Sequence, residues 1–469
     1  MITDITSKIF STLGSNSSLL PLAIKDVANS AGITLGSYMT GKETEGQDRF
    51  IDEFGTEAIW LGGIPFYKKI ADLTLYKFAG LDPKFDVRNI NKITKLKKGT
   101  KEQIAEAEEF AKILLENTPD HLKDSVKRAL SKPTLIKNLS LVKFGISTAL
   151  AIATYMGLTN YRQNYRLNKE MENLKAEQKA QQNAKIKLMH KNLKVPQAFE
   201  GVHKNDNGLN KNVAFTGGIQ EFMLNPVKNM MLLDAAITEE RLRSSQSKQE
   251  FINYSIKEAS TWAFMYFAGP VFQKYFENKV MEKKGFPINM DSRIIESREL
   301  HEAIGSGTLK QSIEAFEQKC TGVSDTAIYK FIHENQTNDI VKMAKKADIV
   351  PVVNKRKGDL RIDTRAYLDI NDFKDLKDRL KKLLEKSEER LAGKNADDRI
   401  KGLEEFLKEV KKSKRHAIFK NMGICITALG VGVPLLMIAS RYLIPNNREY
   451  KVREAAAKEL AKQQNGVIA

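Results

Sequence analysis

"EAIWLGGIPFYKK", Glu57 to Lys69, has a counterpart in the second half of the chain, "EASTWAFMYFAGPVFQK", Glu258 to Lys274. Both open on Glu-Ala, soon reach one of the only two tryptophans, cross a glycine and a proline inside an apolar run, and close on lysine. The match extends outward. Pro65 and Pro270 stand 205 positions apart, and the same offset relates Lys69 to Lys274, Gly80 to Gly285, Asp86 to Asp291, Arg88 to Arg293 and Ile90 to Ile295. Upstream, "RFIDEFGTEA" from Arg49 answers "EFINYSIKEA" from Glu250, Pro21 answers Pro226, and "GIT" at Gly32 answers "AIT" at Ala236. Downstream, "KGTKEQIAEAEE" from Lys98 resembles "SGTLKQSIEAFE" from Ser306, and "LKDSVKRAL" from Leu122 resembles "LKDRLKKLL" from Leu376. The order is kept, with drifting gaps and an insertion in the second copy. This pattern predicts one unit written twice.

Each copy closes on a stretch without charge. A helix rises about 1.5 Å per residue, so a hydrocarbon core of roughly 30 Å needs about 20 apolar residues. "FGISTALAIATYMGLTNY", Phe144 to Tyr161, lies between Lys143 and Arg162; "MGICITALGVGVPLLMIAS", Met422 to Ser440, lies between Lys420 and Arg441. Tyr161 and Tyr442 fall where interfacial aromatics belong, with cationic anchors beside them. Both stretches read as transmembrane helices, the rival reading being buried helices of a soluble core. The apolar runs around the tryptophans, 58–67 and 259–273, are shorter, and glycine and proline are expected to break them. Two topologies follow. If only the long spans cross, the copies are inverted; if the shorter runs cross as well, the copies are parallel.

The remaining segments read as helices. Leu122, Val126, Ala129 and Leu130 form one stripe, with Thr118 as cap and Pro119 in the first turn. Phe373, Leu376, Leu380, Leu383, Leu384 and Leu391 form another behind an Asn371 cap, and Ile400, Leu403, Phe406, Leu407 and Val410 a third. Residues 349–362 alternate enough for a small β-hairpin. The expected fold is therefore all-α: two tandem homologous halves, each ending in a transmembrane helix, with amphipathic or interfacial helices and helical hairpins. The boundaries are 1–161 for the first repeat, 162–212 for a charged helical linker and a loop (Lys194 to Asn212), 213–444 for the second repeat and 445–469 for a tail.

Charged residues make up 29% of the 469 residues, with a net charge of +18, so most of the chain suits water. The lysine excess is scattered, which permits anionic lipid and gives no sign of base stacking; nucleic acid is the disfavoured partner. Two distant cysteines exclude a disulfide framework, and six histidines show no metal-ligand spacing. "GSGTLK" at Gly305 lacks phosphate-loop spacing and reads as helix-capping glycine. No catalytic residue, cofactor or metal is expected. Candidate functional or interfacial residues are those that recur. Trp60, Pro65, Trp262 and Pro270 would anchor the short apolar runs. Glu57 and Glu258 precede those runs and would pair with a lysine or line a polar cavity. Asp86, Arg88, Asp291 and Arg293 repeat Asp-x-Arg, a ligand site or a cap with its salt bridge. The expected setting is a bacterial cytoplasmic membrane, polar helices on the cytoplasmic side, with lipid and a protein partner or second copy as partners. The expected role is structural, scaffolding or interaction. A transport path between the repeats and a soluble nucleic-acid-binding protein are the alternatives.

Overall fold

The computed structural model describes residues 2–15, 19–40, 43–189, 225–443 and 450–466; the loop expected at 194–212 lies outside them. The described chain is helical apart from one two-stranded antiparallel hairpin, Val352–Asn354 with Asp359–Ile362, inside the stretch whose alternation predicts it. Gly358, at φ +73°, makes its turn.

The chain folds into two compact units that interleave along the sequence. The first takes Met1–Asn29, Leu61–Leu150 and Ser260–Gly432; the second takes Ser30–Trp60, Ala151–Ala259 and Val433–Ala469. Each unit therefore draws on both halves of the chain.

The tryptophan runs do not break their helices. Residues 43–79 and 248–284 are continuous helices of 37 residues, and 205 positions separate their starts and their ends alike. Each switches into a π-helical turn at its tryptophan, Ile59–Gly63 and Trp262–Phe267, and resumes as α-helix with Pro65 or Pro270 in the first turn. A π-turn inserts one residue and shifts the hydrogen-bond ladder, so proline's missing N–H falls where the ladder is already interrupted. The first helix has a second π-turn at Asp72–Tyr76, and Pro434 follows another at Ala428–Gly432. Both 37-residue helices stop at a left-handed glycine, Gly80 at φ +63° and Gly285 at φ +74°, a backbone shape that costs glycine nothing.

Two helices are long and apolar enough to cross a membrane, Pro133–Gln181 and Ala396–Ser440. The first belongs to a single helix, Pro133–Met189, so the charged stretch after Tyr161 continues the same rod. The second begins as the amphipathic helix of a hairpin, so hairpin and apolar stretch form one rod as well.

The first unit has an apolar core. Phe286, Ile294, Leu309, Ile332, Val341, Phe373 and Leu380 are buried in it, each contributing roughly 1.5–3 kcal/mol. The stripe on Ile370–Leu391 packs as its periodicity predicts, whereas Ile400, in the first turns of the next helix, stays exposed. Two caps differ from expectation. Asp369, not Asn371, caps Ile370–Leu391, its carboxylate accepting the Asn371 N–H at 2.9 Å. Pro119 itself takes the cap position of Asp120–Ser131, and the Thr118 hydroxyl turns back to the Leu114 carbonyl of the preceding helix.

Candidate functional site: a buried ion network

The second unit has a core of charge. Its helix Glu43–Ala58 carries Asp48 and Asp52 one turn apart on one face and Glu53 on the adjoining face, and all three are buried. Arg162, the first residue after the uncharged stretch, binds both aspartates. It donates to Asp48 through Nε at 3.1 Å and Nη2 at 2.9 Å, and its Nη1 stands 2.8 Å from Asp52. One turn on, Arg166 lies 2.9 Å from Glu250 and 3.3 Å from Asp48. Arg241 donates to Glu258 at 2.6 Å and to the Thr56 hydroxyl at 3.1 Å. Lys257 bridges Glu53 at 2.7 Å and Glu258 at 3.2 Å. Tyr254 donates to Asp52 at 3.1 Å, accepts from Arg162 at 3.0 Å, and lies 4.2 Å beneath the Arg49 guanidinium.

All these side chains are buried, and five cations (Arg49, Arg162, Arg166, Arg241, Lys257) face five carboxylates (Asp48, Asp52, Glu53, Glu250, Glu258). Balance matters here, because a buried charge without its partner keeps the whole desolvation cost. Chemically, the arrangement can lock helices together. Among the described residues no group of His, Cys, Asp or Glu could hold a metal ion.

The sequence-derived candidates divide between the units. In the second unit, Glu258 is integral to the network, where Thr238 also donates to it at 3.0 Å. Glu57 is buried nearby, with Oε1 unpartnered. The Trp60 indole donates to Asp234 at 3.0 Å. In the first unit, Trp262 packs edge-on against Tyr266 and stacks with Phe267 at ring distances of 5.6 and 6.3 Å, and Pro65 and Pro270 are exposed.

Asp86 and Asp291 are helix caps. Each accepts the backbone N–H two residues on, at 2.9 and 2.8 Å, and clamps the side chain of that same residue, Arg88 or Arg293. Arg88 then covers the Tyr367 ring, while Arg293 reaches the Ala347 carbonyl at 2.7 Å and the Asp348 carboxylate. The pattern recurs in Asp359–Arg361 and Asp363–Arg365, so four of the five Asp-x-Arg triplets are turn staples; the fifth, Asp397–Arg399, lies in a helix capped by Asn395.

Sequence reading passed over Asp48, Asp52, Arg162, Arg241 and Tyr254. A signal exists: carboxylates four residues apart interleaved with Phe50, Ile51 and Phe54, and an arginine directly after an uncharged stretch.

Within the first unit the halves again do equivalent things. Asp72 and Glu277, 205 positions apart, each pair with a lysine of the helix leading to their own apolar stretch, Lys143 and Lys414. No protein-family model, curated protein or solved structure matches the chain.

Proposed function

We propose that this chain is a bilayer-embedded structural protein built from two related copies. It anchors charged helical hairpins at a membrane and presents them, with its outward apolar faces, to lipid and to a protein partner or second copy. The observation that carries this reading is how little of the apolar helices the chain covers. Only 22% of the apolar stretch in Pro133–Gln181 and 33% of that in Ala396–Ser440 is buried, whereas a core helix of a soluble protein would be mostly covered. Ile146, Leu150, Ile424 and Val431 in the first unit, and Met156, Leu435 and Leu436 in the second, are among the large side chains left outward.

The equal helix lengths, the left-handed glycines, the Asp-x-Arg caps and the Asp72/Glu277 lysine pairs, all at an offset of 205, and the π-turns at tryptophan, two or three positions short of it, support duplication, because unrelated segments have no reason to share five local devices in register. Interior charges that pair with one another fit a structural element better than an ion path. Lys408, Lys411, Lys412, Lys414, Arg415 and Lys420 precede the second apolar stretch and favour the cytoplasmic side of a bacterial membrane for that end.

Alkaline carbonate washing of membranes, followed by flotation, tests the reading. The chain is expected to stay with the bilayer. Release into the supernatant as a folded protein overturns it.

A further inference from the structure

Bilayer embedding leaves open whether the two copies are inverted or parallel, and contacts inside each unit bear on this. In the second unit, Arg49 meets Glu250 at 3.8 Å, Asp52 meets Tyr254 at 3.1 Å and Glu53 meets Lys257 at 2.7 Å. Residue numbers rise together along Glu43–Ala58 and Lys248–Thr261, so these helices are parallel. Against the first, Arg162 binds Asp48 and Asp52. Against the second, Ser440 donates to Asn253 at 3.0 Å and accepts from Gln249 at 2.7 Å. Asn253 and Gln249 are the counterparts of Asp52 and Asp48 at the 201-residue offset of that segment. Both apolar helices thus bring their C-terminal ends to the same level of one parallel pair. Beyond that level, Arg453 of Tyr450–Gly466 lies 2.7 Å from Glu177 and 3.8 Å from Glu170, so the segments that follow the two apolar stretches are neighbours.

The 37-residue helices run the other way. In the second unit Asp48 meets Arg162 while Asp52 meets Tyr155. In the first unit Asp72 meets Lys143 while Tyr76 meets Ser140. The second copy repeats this in the first unit: Phe264 with Cys425, Gln273 with Asn421, Glu277 with Lys414, Lys284 with Glu409. In every series one number rises as the other falls, which is antiparallel packing.

We infer that both apolar helices cross the bilayer in the same direction and that helices 43–79 and 248–284 cross back, so the copies are parallel. The inference rests on the bilayer reading above. Length permits it, since 37 residues rise roughly 55 Å against a core of about 30 Å. Pairing lowers the cost of the charges these helices do bury: Glu258 is matched by Arg241 and Lys257, Asp72 by Lys143 and Glu277 by Lys414.

The test is side-specific maleimide labelling in sealed vesicles of Ser131→Cys, Gln178→Cys, Lys394→Cys and Gln463→Cys, each in the full chain, whose own Cys320 and Cys425 are buried and set the background. Parallel copies place 131 with 394 on one side and 178 with 463 on the other. Inverted copies, with only the apolar stretches crossing, place 178 with 394 and 131 with 463, which overturns the inference while the bilayer reading stands. Uniform labelling of a carbonate-extractable chain defeats the bilayer reading itself. Trypsin digestion of the unmodified chain in the same vesicles provides a second reading free of substitutions: cuts near 131 and near 394 should appear together, and their separation by the membrane overturns the inference.

Discussion

The helical hairpin of the first half of the chain and that of the second solve one packing problem with opposite chemistry. Where the first apolar helix ends, Arg162 locks onto Asp48 and Asp52, all buried; where the second ends, Ser440 hydrogen-bonds Gln249 and Asn253, the neutral counterparts of those aspartates. At the other end of each hairpin the roles reverse. Glu277 and Lys414 form a buried pair at 2.6 Å, with side-chain exposures of 10% and 5%, while their counterparts Asp72 and Lys143 remain 28% and 21% exposed. Each hairpin thus has one deeply buried ionic lock, at opposite ends. Helix geometry sets the hairpin; charge is an option laid over it. The option demands completeness, because a buried pair is near neutral in stability when whole and costly when halved.

That asymmetry gives the largest predicted effect. Arg162→Ser imports the second half's residue without its partners and takes from two buried aspartates the cation closest to each, leaving the buried network one positive charge short. It should cost about 3–5 kcal/mol, read as a lower unfolding midpoint in detergent. Adding Asp48→Gln, which completes part of the neutral set, should recover stability relative to Arg162→Ser alone. If the double variant is as unstable as the sum of the singles, the two residues are not coupled and the copies are not interchangeable in this way.

How much of this was legible beforehand follows from the range over which each feature is decided. The all-helical class, the small hairpin inside 349–362 and the two long apolar stretches are written in local periodicity, and Phe373, Leu380 and Leu384 are buried as their spacing requires. The shared offset pointed to Gly80 with Gly285 and Asp86 with Asp291, which turn out to play matched structural parts. The ion network was not legible, because Asp52 finds Arg162, Arg241 and Tyr254 from three distant segments, and pattern within a window cannot bring them together. Helix continuity through Pro65 and Pro270 was also hidden, since it depends on π-turns that leave no fixed sequence mark. Asp-x-Arg, read from its two repeated instances as a ligand site or a cap with its salt bridge, takes the cap form at both, and the same staple closes two further turns at Asp359 and Asp363.

At the opposite end of the hairpins the order of effects should invert between the copies. Lys414→Ala leaves Glu277 buried and unpaired and should cost about 3 kcal/mol, whereas Lys143→Ala, at a wetter pair, should cost less than about 1 kcal/mol. Equal losses would mean that the two ends are equally solvated in the folded protein.

The stretch between Glu317 and Leu376, which has no matching stretch in the first half, offers a smaller effect. His333, on Asp325–Glu334, is buried beside the Tyr329 ring at 4.6 Å, and neither ring nitrogen has a partner among the described residues. Burial, with Lys345 adding to it, pushes its pKa down to about 4 from 6.5. Above pH 6.5 the imidazole is neutral folded and unfolded and contributes nothing. As pH falls from 6.5 towards 4 the unfolded chain takes up a proton that the folded chain refuses, so stability falls, by about 2 kcal/mol at pH 5. His333→Phe should remove that component and flatten the unfolding midpoint between pH 7 and pH 5; an unchanged slope would place the acid sensitivity elsewhere.

The smallest effect separates the tryptophans that first tied the halves together. Trp60 and Trp262 sit at matching π-turns, yet only Trp60 has a defined polar partner, its indole N–H donating to Asp234 at 3.0 Å, while Trp262 rests on Tyr266 and Phe267. Phenylalanine keeps most of the ring and removes the donor. Trp60→Phe should therefore cost about 1 kcal/mol, the net worth of a hydrogen bond to a charged acceptor at the edge of a buried site, and Trp262→Phe about half that or less. Equal and small losses would mean that both indoles act only through their apolar surface. A larger loss at Trp262 would reverse the ranking and place the more demanding packing at the second π-turn, where the ring stack rather than the hydrogen bond holds the helix.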